Sequence, residues 1–177
     1  RDMKIESKTL EANSIEQEGE EGNEPQSFSF DVKESFEDMD WWPGLADLDR
    51  LNILNSPKED RARLLASKYS KPVDDIMVEI GQKTGLDYFD DFELPENPTK
   101  LLPMRLIHNY CCLPTEVNKG GKLCLVTPWP PTERMSRWIY AVSGSKPLWT
   151  LGSPEKISRA ITENFGIGAD SLDDSDL

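Results

Sequence analysis

A chain of 177 residues with a formal net charge of −13 is long enough for one ordinary domain and is acidic overall. That balance excludes a general binder of nucleic acid or anionic membrane, because both need clustered basic side chains. No apolar run approaches the ~20 residues needed to cross a bilayer, and no signal-peptide core is present.

The charge is uneven. Residues 1–60 carry 17 Asp/Glu against 6 Lys/Arg, whereas residues 61–177 carry 16 against 14. The leader, to about Glu37, is rich in Glu, Ser, Asn and Gly and poor in large apolar residues. Such a segment cannot bury enough surface to offset the entropy of ordering it. Residues 1–55 are therefore expected to form an acidic, largely disordered leader. Within it, Asp40-Trp41-Trp42-Pro43-Gly44-Leu45 sets two large aromatics in an acidic context. Trp41 and Trp42 either anchor a partner or fold back onto the body.

Residues 56–85 read as a helical pair. Ser56-Pro57-Lys58-Glu59 has the form of a capping box with proline at the first helical position. Ala62, Leu65, Ala66 and Tyr69 then recur at i, i+3, i+4 and i+7. Beyond Pro72, the spacing of Val73, Ile76, Met77 and Ile80 predicts a second helix that Gly85 stops.

Residues 86–174 read as an α+β body. Leu86–Phe89 has the look of a short strand, and residues 93–99, with two prolines, of a loop. Leu101 to Tyr110 is expected to be one helix, with Pro103 tolerated in its first turn. Leu113–Val117 and Lys122–Thr127 are strand-like, joined by Asn118, Lys119, Gly120 and Gly121. Thr132 caps a helix running to Gly144, with Met135, Ile139 and Val142 inward and Trp138 bordering that face. Arg134, Arg137 and Tyr140 fall on its outer side. Lys146–Leu151 is a further strand. Ser153-Pro154 opens a last helix, whose core stripe is Ile157, Ala160, Ile161 and Phe165. The order after residue 85 is β-α-β-β-α-β-α, a small mixed sheet packed with helices.

Asn118–Lys122 reads NKGGK, and glycine beside lysine often cradles phosphate. A P-loop needs G-x-x-x-x-G-K-[ST] leading from a strand into a helix. Here Leu123 follows the lysine, Glu116 stands where the first glycine belongs, and a strand follows. The segment is hairpin chemistry: Asn and Gly supply the positive φ a tight turn requires. Ser143-Gly144-Ser145-Lys146 fails the same test. Hydrolase and metalloprotease motifs are absent. The pairs Asp74/Asp75 and Asp90/Asp91 read as solvated or helix-dipole carboxylates, not as an acid and base. Cys111, Cys112 and Cys124, odd in number and without C-x-x-C spacing, read as reduced cysteines of a cytosolic core. The single His108 reads as a structural helix residue. Neither a metal nor another cofactor is expected. A body without a reactive constellation points to binding, and the surface candidates are Trp41, Trp42, Arg134, Arg137 and Tyr140.

Five stretches, in order, carry a family likeness. They are Gly85–Asp90, Leu102–Tyr110, Leu113-Pro114, Gly121–Pro130 and Gly152–Ile161, the last continued by Phe165-Gly166-Ile167-Gly168-Ala169. With them, the chain from about Ala62 to Asp174 resembles the amino-terminal domain of bacterial type II secretion and type IV pilus assembly ATPases. The resemblance implies a cytoplasmic, non-catalytic domain that docks the motor to inner-membrane platform proteins. Its partners would be the cytoplasmic domain of such a protein and the motor's own ATPase module. It would reach the inner membrane through partners and not by insertion. Some members of this family bind cyclic di-GMP through a pattern opening Arg-Leu-Gly. Here Arg63-Leu64-Leu65 puts leucine in the glycine position, and the close approach that glycine permits is lost. A cyclic-dinucleotide sensor of the same fold is the alternative reading, and a stand-alone enzyme is disfavoured by the missing motifs. No Walker motif occurs before Leu177, so the chain reads as an excised domain or a free-standing copy.

Overall fold

A computed structural model describes Trp42 and residues 44–166. The leader through Trp41 and residues 167–177, including the Ile167-Gly168-Ala169 stretch, lie outside the described residues. Among the described residues the elements run α1 (Asp47–Leu54), α2 (Lys58–Tyr69), α3 (Val73–Thr84), β1 (Tyr88–Phe89), α4 (Pro98–Leu101), α5 (Met104–Tyr110), β2 (Leu113–Val117), β3 (Leu123–Thr127), α6 (Glu133–Ser143), β4 (Pro147–Gly152) and α7 (Pro154–Phe165). The fold is α+β. Four strands form one mixed sheet in the order β1-β4-β3-β2. β4 pairs parallel with both β1 and β3, and β2 pairs antiparallel with β3.

The β2–β3 hairpin forms as its turn chemistry predicts. Gly121 has φ +82°, and the Asn118 N–H donates to the Lys122 carbonyl at 2.9 Å. Asn118 also closes the turn with its side chain, its Oδ1 accepting from the Lys122 N–H at 2.9 Å. The caps of α6 and α7 likewise appear where the sequence puts them. Thr132 Oγ1 accepts from Met135 N–H at 3.2 Å, and Ser153 Oγ accepts from Lys156 N–H at 3.3 Å. Gly85 ends α3 at φ +82°.

Four expectations are corrected. The Ser56 capping box does not form, because Ser56 Oγ turns back to donate to the Asn52 carbonyl at 2.8 Å. Pro57 occupies the cap of α2 with no side-chain bond. What the serine closes is α1, a helix inside residues 1–55, with Ile53 buried against the body. The expected helix over Leu101–Tyr110 is two short helices. Leu102 precedes Pro103, and the clash with the proline ring disfavours helical geometry there; its φ −147° and ψ 126° are extended. Val142, expected inward, is 48% exposed, while Ser136 is buried in α6 and accepts from Trp149 Nε1 at 2.8 Å.

Two clusters fill the interior. One gathers Leu113, Leu123, Leu125, Met135, Ile139 and Trp149 about the sheet and α6. The other gathers Leu65, Ile76, Met77, Ile80, Trp129 and Leu151 about α2 and α3. Side chains alternate along a strand, so Trp149 and Leu151 share one sheet face. α6 meets the first through Ser136, and Gly81 of α3 lies against the second. α7 lies under the opposite face, where Gly152 brings the backbone against Val126 and Ile157.

The cysteines are free thiols, with Cys111 and Cys112 buried and Cys124 half-buried. Burial pushes the Cys112 thiol up to about 12. Burial also raises the Cys111 thiol, and the Glu59 carboxylate, which accepts from it at 3.5 Å, adds to the rise. His108, on α5, has its Nε2 3.4 Å from the Phe165 carbonyl.

A Cβ at position 152 would fall inside the Val126 methyl and within 3.2 Å of Ile157 Cδ1. Gly152→Ala is expected to lose about 1–3 kcal/mol in urea unfolding, the range of core overpacking; an unchanged midpoint would contradict this packing. The buried thiols set an alkaline limit. An unfolded thiol ionises near 9.0. Between there and about 12, the folded state holds a proton that the unfolded state has released, so stability falls as pH rises. Urea midpoints should drop from about pH 9 to about pH 11, and Cys112→Ala should flatten part of the drop. A profile indifferent to Cys112→Ala would refute the assignment.

Candidate docking surface

Helix α6 carries two stripes. The inner one, Met135, Ser136 and Ile139, is buried. The outer one is Arg134, Arg137, Trp138 and Ala141, all exposed and spaced i, i+3, i+4 and i+7, so they share one face. Trp138 is 50% exposed, and Val142 lies at its border. The outer face thus carries a half-exposed indole on the same helix as two exposed arginines. Arg137 pairs with Glu133 at 2.7 Å across one helical turn. Among the described residues no carboxylate pairs with Arg134. A second basic group stands near it. Lys58 Nζ lies 5.7 Å from the Tyr110 ring centre and 3.6 Å from Met135 Sδ. Burial raises the Tyr110 phenol against the pull of the Arg134 guanidinium. Lys58 thus approaches α6 from its buried side, at Met135.

The structure brings together only part of the surface read from sequence. Arg134 and Arg137 share the outer face, and Tyr140 is half-buried at its flank. Trp41 lies outside the described residues. Trp42 is elsewhere: it is 6% exposed, its ring centre is 6.2 Å from that of Tyr69, and Lys83 Nζ stands 5.1 Å over it. The second alternative for Trp42 holds, and its indole belongs to the core. Trp138, which the sequence places at the border of the inner face, is half exposed.

A cavity of about 510 Å³ opens where the first turns of α2, α3 and α7 meet. Glu59, Asp60, Asp74 and Glu155 line it together with Arg63 and Arg159. Both guanidiniums are tied to carboxylates, Arg63 to Asp60 at 3.0 Å and Arg159 to Glu155 at 2.8 Å. An anionic phosphodiester entering here meets an excess of negative charge. Leu65, at the glycine position of the cyclic-dinucleotide pattern, is fully buried in the core. The carboxylates sit in first helical turns, where the macrodipole favours them.

The acidic pairs are likewise structural. Asp74 accepts from the Tyr88 hydroxyl at 2.7 Å, and burial together with this carboxylate pushes the phenol well up. Asp90 and Asp91 share Lys156, at 3.3 and 2.6 Å. Among the described residues no group of three or more His, Cys, Asp or Glu is placed to hold a metal ion. No described helix is long and apolar enough to cross a membrane.

No family model matches the chain, and no curated protein does. Among solved structures the chain is similar to the N-terminal domain of XpsE, at 19% identity and a TM-score of 0.44. The match covers 66% of this chain and 84% of that one.

The two indoles separate core from surface experimentally. Trp42→Ala should cost about 3 kcal/mol or more, the range for emptying a buried aromatic site. Trp138→Ala should stay within about 1 kcal/mol, as exposed substitutions do. Equal losses by urea unfolding would overturn the division.

Proposed function

We propose that this chain is a non-catalytic docking domain of a type II secretion or type IV pilus assembly ATPase. It couples the motor to the cytoplasmic domain of an inner-membrane platform protein, and the outer face of α6 is the contact. The observation that supports the reading is the ordered set of family marks in the sequence, considered with the elements on which they fall. Gly85 ends α3 ahead of β1, Gly121 closes the β2–β3 hairpin, and Gly152 packs against Val126. Leu102–Tyr110 supplies α5, and Leu113-Pro114 begins β2. The marks are therefore residues that a common fold would need, and they leave the α6 surface free to vary with the partner.

The α6 surface has the composition of an interface centre: Trp and Arg are the residues most enriched among those that dominate binding energy. Removing such an anchor typically costs at least 1–2 kcal/mol, about tenfold in affinity. In this reading the domain sits on the cytoplasmic side and reaches the membrane only through its partner. It has no nucleotide turnover of its own.

Calorimetric titration with the cytoplasmic domain of the cognate platform protein tests the reading. The intact chain should bind, and Arg134→Glu together with Arg137→Glu should weaken binding by about tenfold or more. Failure of the intact chain to bind would overturn the docking role. Undiminished binding by the double variant would move the contact off α6. Hydrolysis of ATP by the pure chain would contradict the non-catalytic assignment.

A further inference from the structure

The sheet has one face that the described helices cover only in part. Side chains alternate along a strand, so the face opposite α6 carries Cys124 and Val126 of β3. Beside them in the register stand Leu148 and Thr150 of β4. Lys122 and Lys146 precede the two strands and continue the alternation, and the Leu123 N–H donates to the Lys146 carbonyl at 2.8 Å. Cover is lost along this face. Val126 and Gly152 are buried at the α7 end, where Ile157 and Phe92 close on position 152. Cys124 and Thr150 are half-buried, and Leu148 is 40% exposed. We infer that this open end of the sheet takes an acidic amphipathic helix of a partner protein, with carboxylates on Lys122 and Lys146 and an apolar stripe on Leu148. The site lies across the sheet from α6 and is independent of the docking face proposed there.

Two observations carry it. The first is an inner strand left open. β4 is bonded in parallel on both sides, and parallel strands are ordinarily covered on both faces by helices. α6 supplies that layer on one face. On the other, α7 covers the Gly152 end and leaves Leu148 in water. The second is charge. Lys122 and Lys146 stand side by side at the mouths of adjacent strands, where like charges are destabilising. Lys119 is exposed in the adjoining turn. Among the described residues no carboxylate forms an ion pair with any of the three, whereas Arg63, Lys68, Lys71, Arg137, Lys156 and Arg159 each hold one. Glu116, the register partner of Cys124, stands toward the β2 edge; burial raises the Cys124 thiol, and this carboxylate adds to the rise. A partner that brings further carboxylates relieves the repulsion between the lysines, and one that brings an apolar stripe covers Leu148.

The consequence is a third layer. A helix seated there would lie back to back with α6 across the sheet, so both faces can be occupied at once. Exposed ion pairs are individually weak, so the contact is transient and its strength falls with salt.

Amide spectra of the full chain, titrated with a designed peptide, test this. The probe is an amphipathic peptide of about 18 residues, long enough for an isolated helix, with a leucine stripe flanked by glutamates. Its control has glutamine for every glutamate. Amides of residues 119–124 and 146–150 should shift with the acidic peptide and not with the control. The shifts should shrink at about 1 M salt, where screening reaches down to roughly 3 Å. Lys122→Glu together with Lys146→Glu should weaken binding about tenfold or more, because like charges then meet across the contact. Leu148→Ala should weaken it by a smaller factor. No shift, an equal shift with the control peptide, or shifts confined to α6 would overturn the inference. So would binding unchanged in the lysine variant. Association of the chain with itself that the lysine variant abolishes would assign the face to a second copy. Binding to anionic lipid vesicles without binding to the peptide would assign it to a membrane surface. Either result overturns the helix as occupant. No platform protein enters the titration, so its failure leaves the docking role of α6 standing.

Discussion

Strand β4 is the element the rest of the structure depends on. It is the strand bonded on both sides by parallel neighbours, Tyr88 and Phe89 of β1 on one edge and residues 123–127 of β3 on the other. Parallel strands cannot be joined by a tight turn, so both connections to β4 are long and carry helices. Its alternate residues also join the two halves of the interior. Trp149 belongs to the cluster under α6, and Leu151 to the cluster under α2 and α3. Gly152 ends it with no side chain because Val126 and Ile157 already fill that space. A strand of six residues thus sets where α3, α6 and α7 lie.

That placement decides which indoles are available at the surface. Trp149 is held inside by the hydrogen bond from its Nε1 to Ser136. Trp129 is fully buried, with the Arg61 guanidinium 5.7 Å from its ring centre. Trp42 lies under Lys83. Trp138 is turned to the outside because the opposite side of α6 must meet Trp149. The exposed face of α6 is therefore a by-product of sheet packing as much as of surface composition: the inner stripe fixes the rotation of the helix, and the outer stripe follows from it.

How far the sequence revealed this depended on the range of the interactions involved. The Asn118–Lys122 turn and the Thr132 and Ser153 caps are decided within four residues, and they were legible. The helices α2, α3, α6 and α7 were legible from periodicity, since each buries one stripe. α1 was not: Leu48 and Leu51 are 68% and 55% exposed, so its apolar residues do not mark a single buried face. The break at Leu102-Pro103 was underweighted in favour of the apolar spacing on either side. Trp42 was ambiguous in principle, because its burial depends on Tyr69 and Lys83, far away in sequence. Of the α6 surface, the arginines were legible and Trp138 was assigned to the border of the core.

The position of β4 also bears on how the protein is made. It is the last of the four strands to leave a ribosome, and Tyr88 of β1 waits for Leu151. At typical rates of synthesis that interval is roughly 3–12 s. Until then the nascent chain has helices and a β2–β3 hairpin but no centre to its sheet, and the apolar faces of α2 and α3 lack Leu151. The residues already released include a leader with thirteen acidic and four basic side chains. Its self-repulsion opposes association between neighbouring nascent chains over those seconds. An acidic leader is thus also suited to guarding a chain whose sheet is completed only by β4.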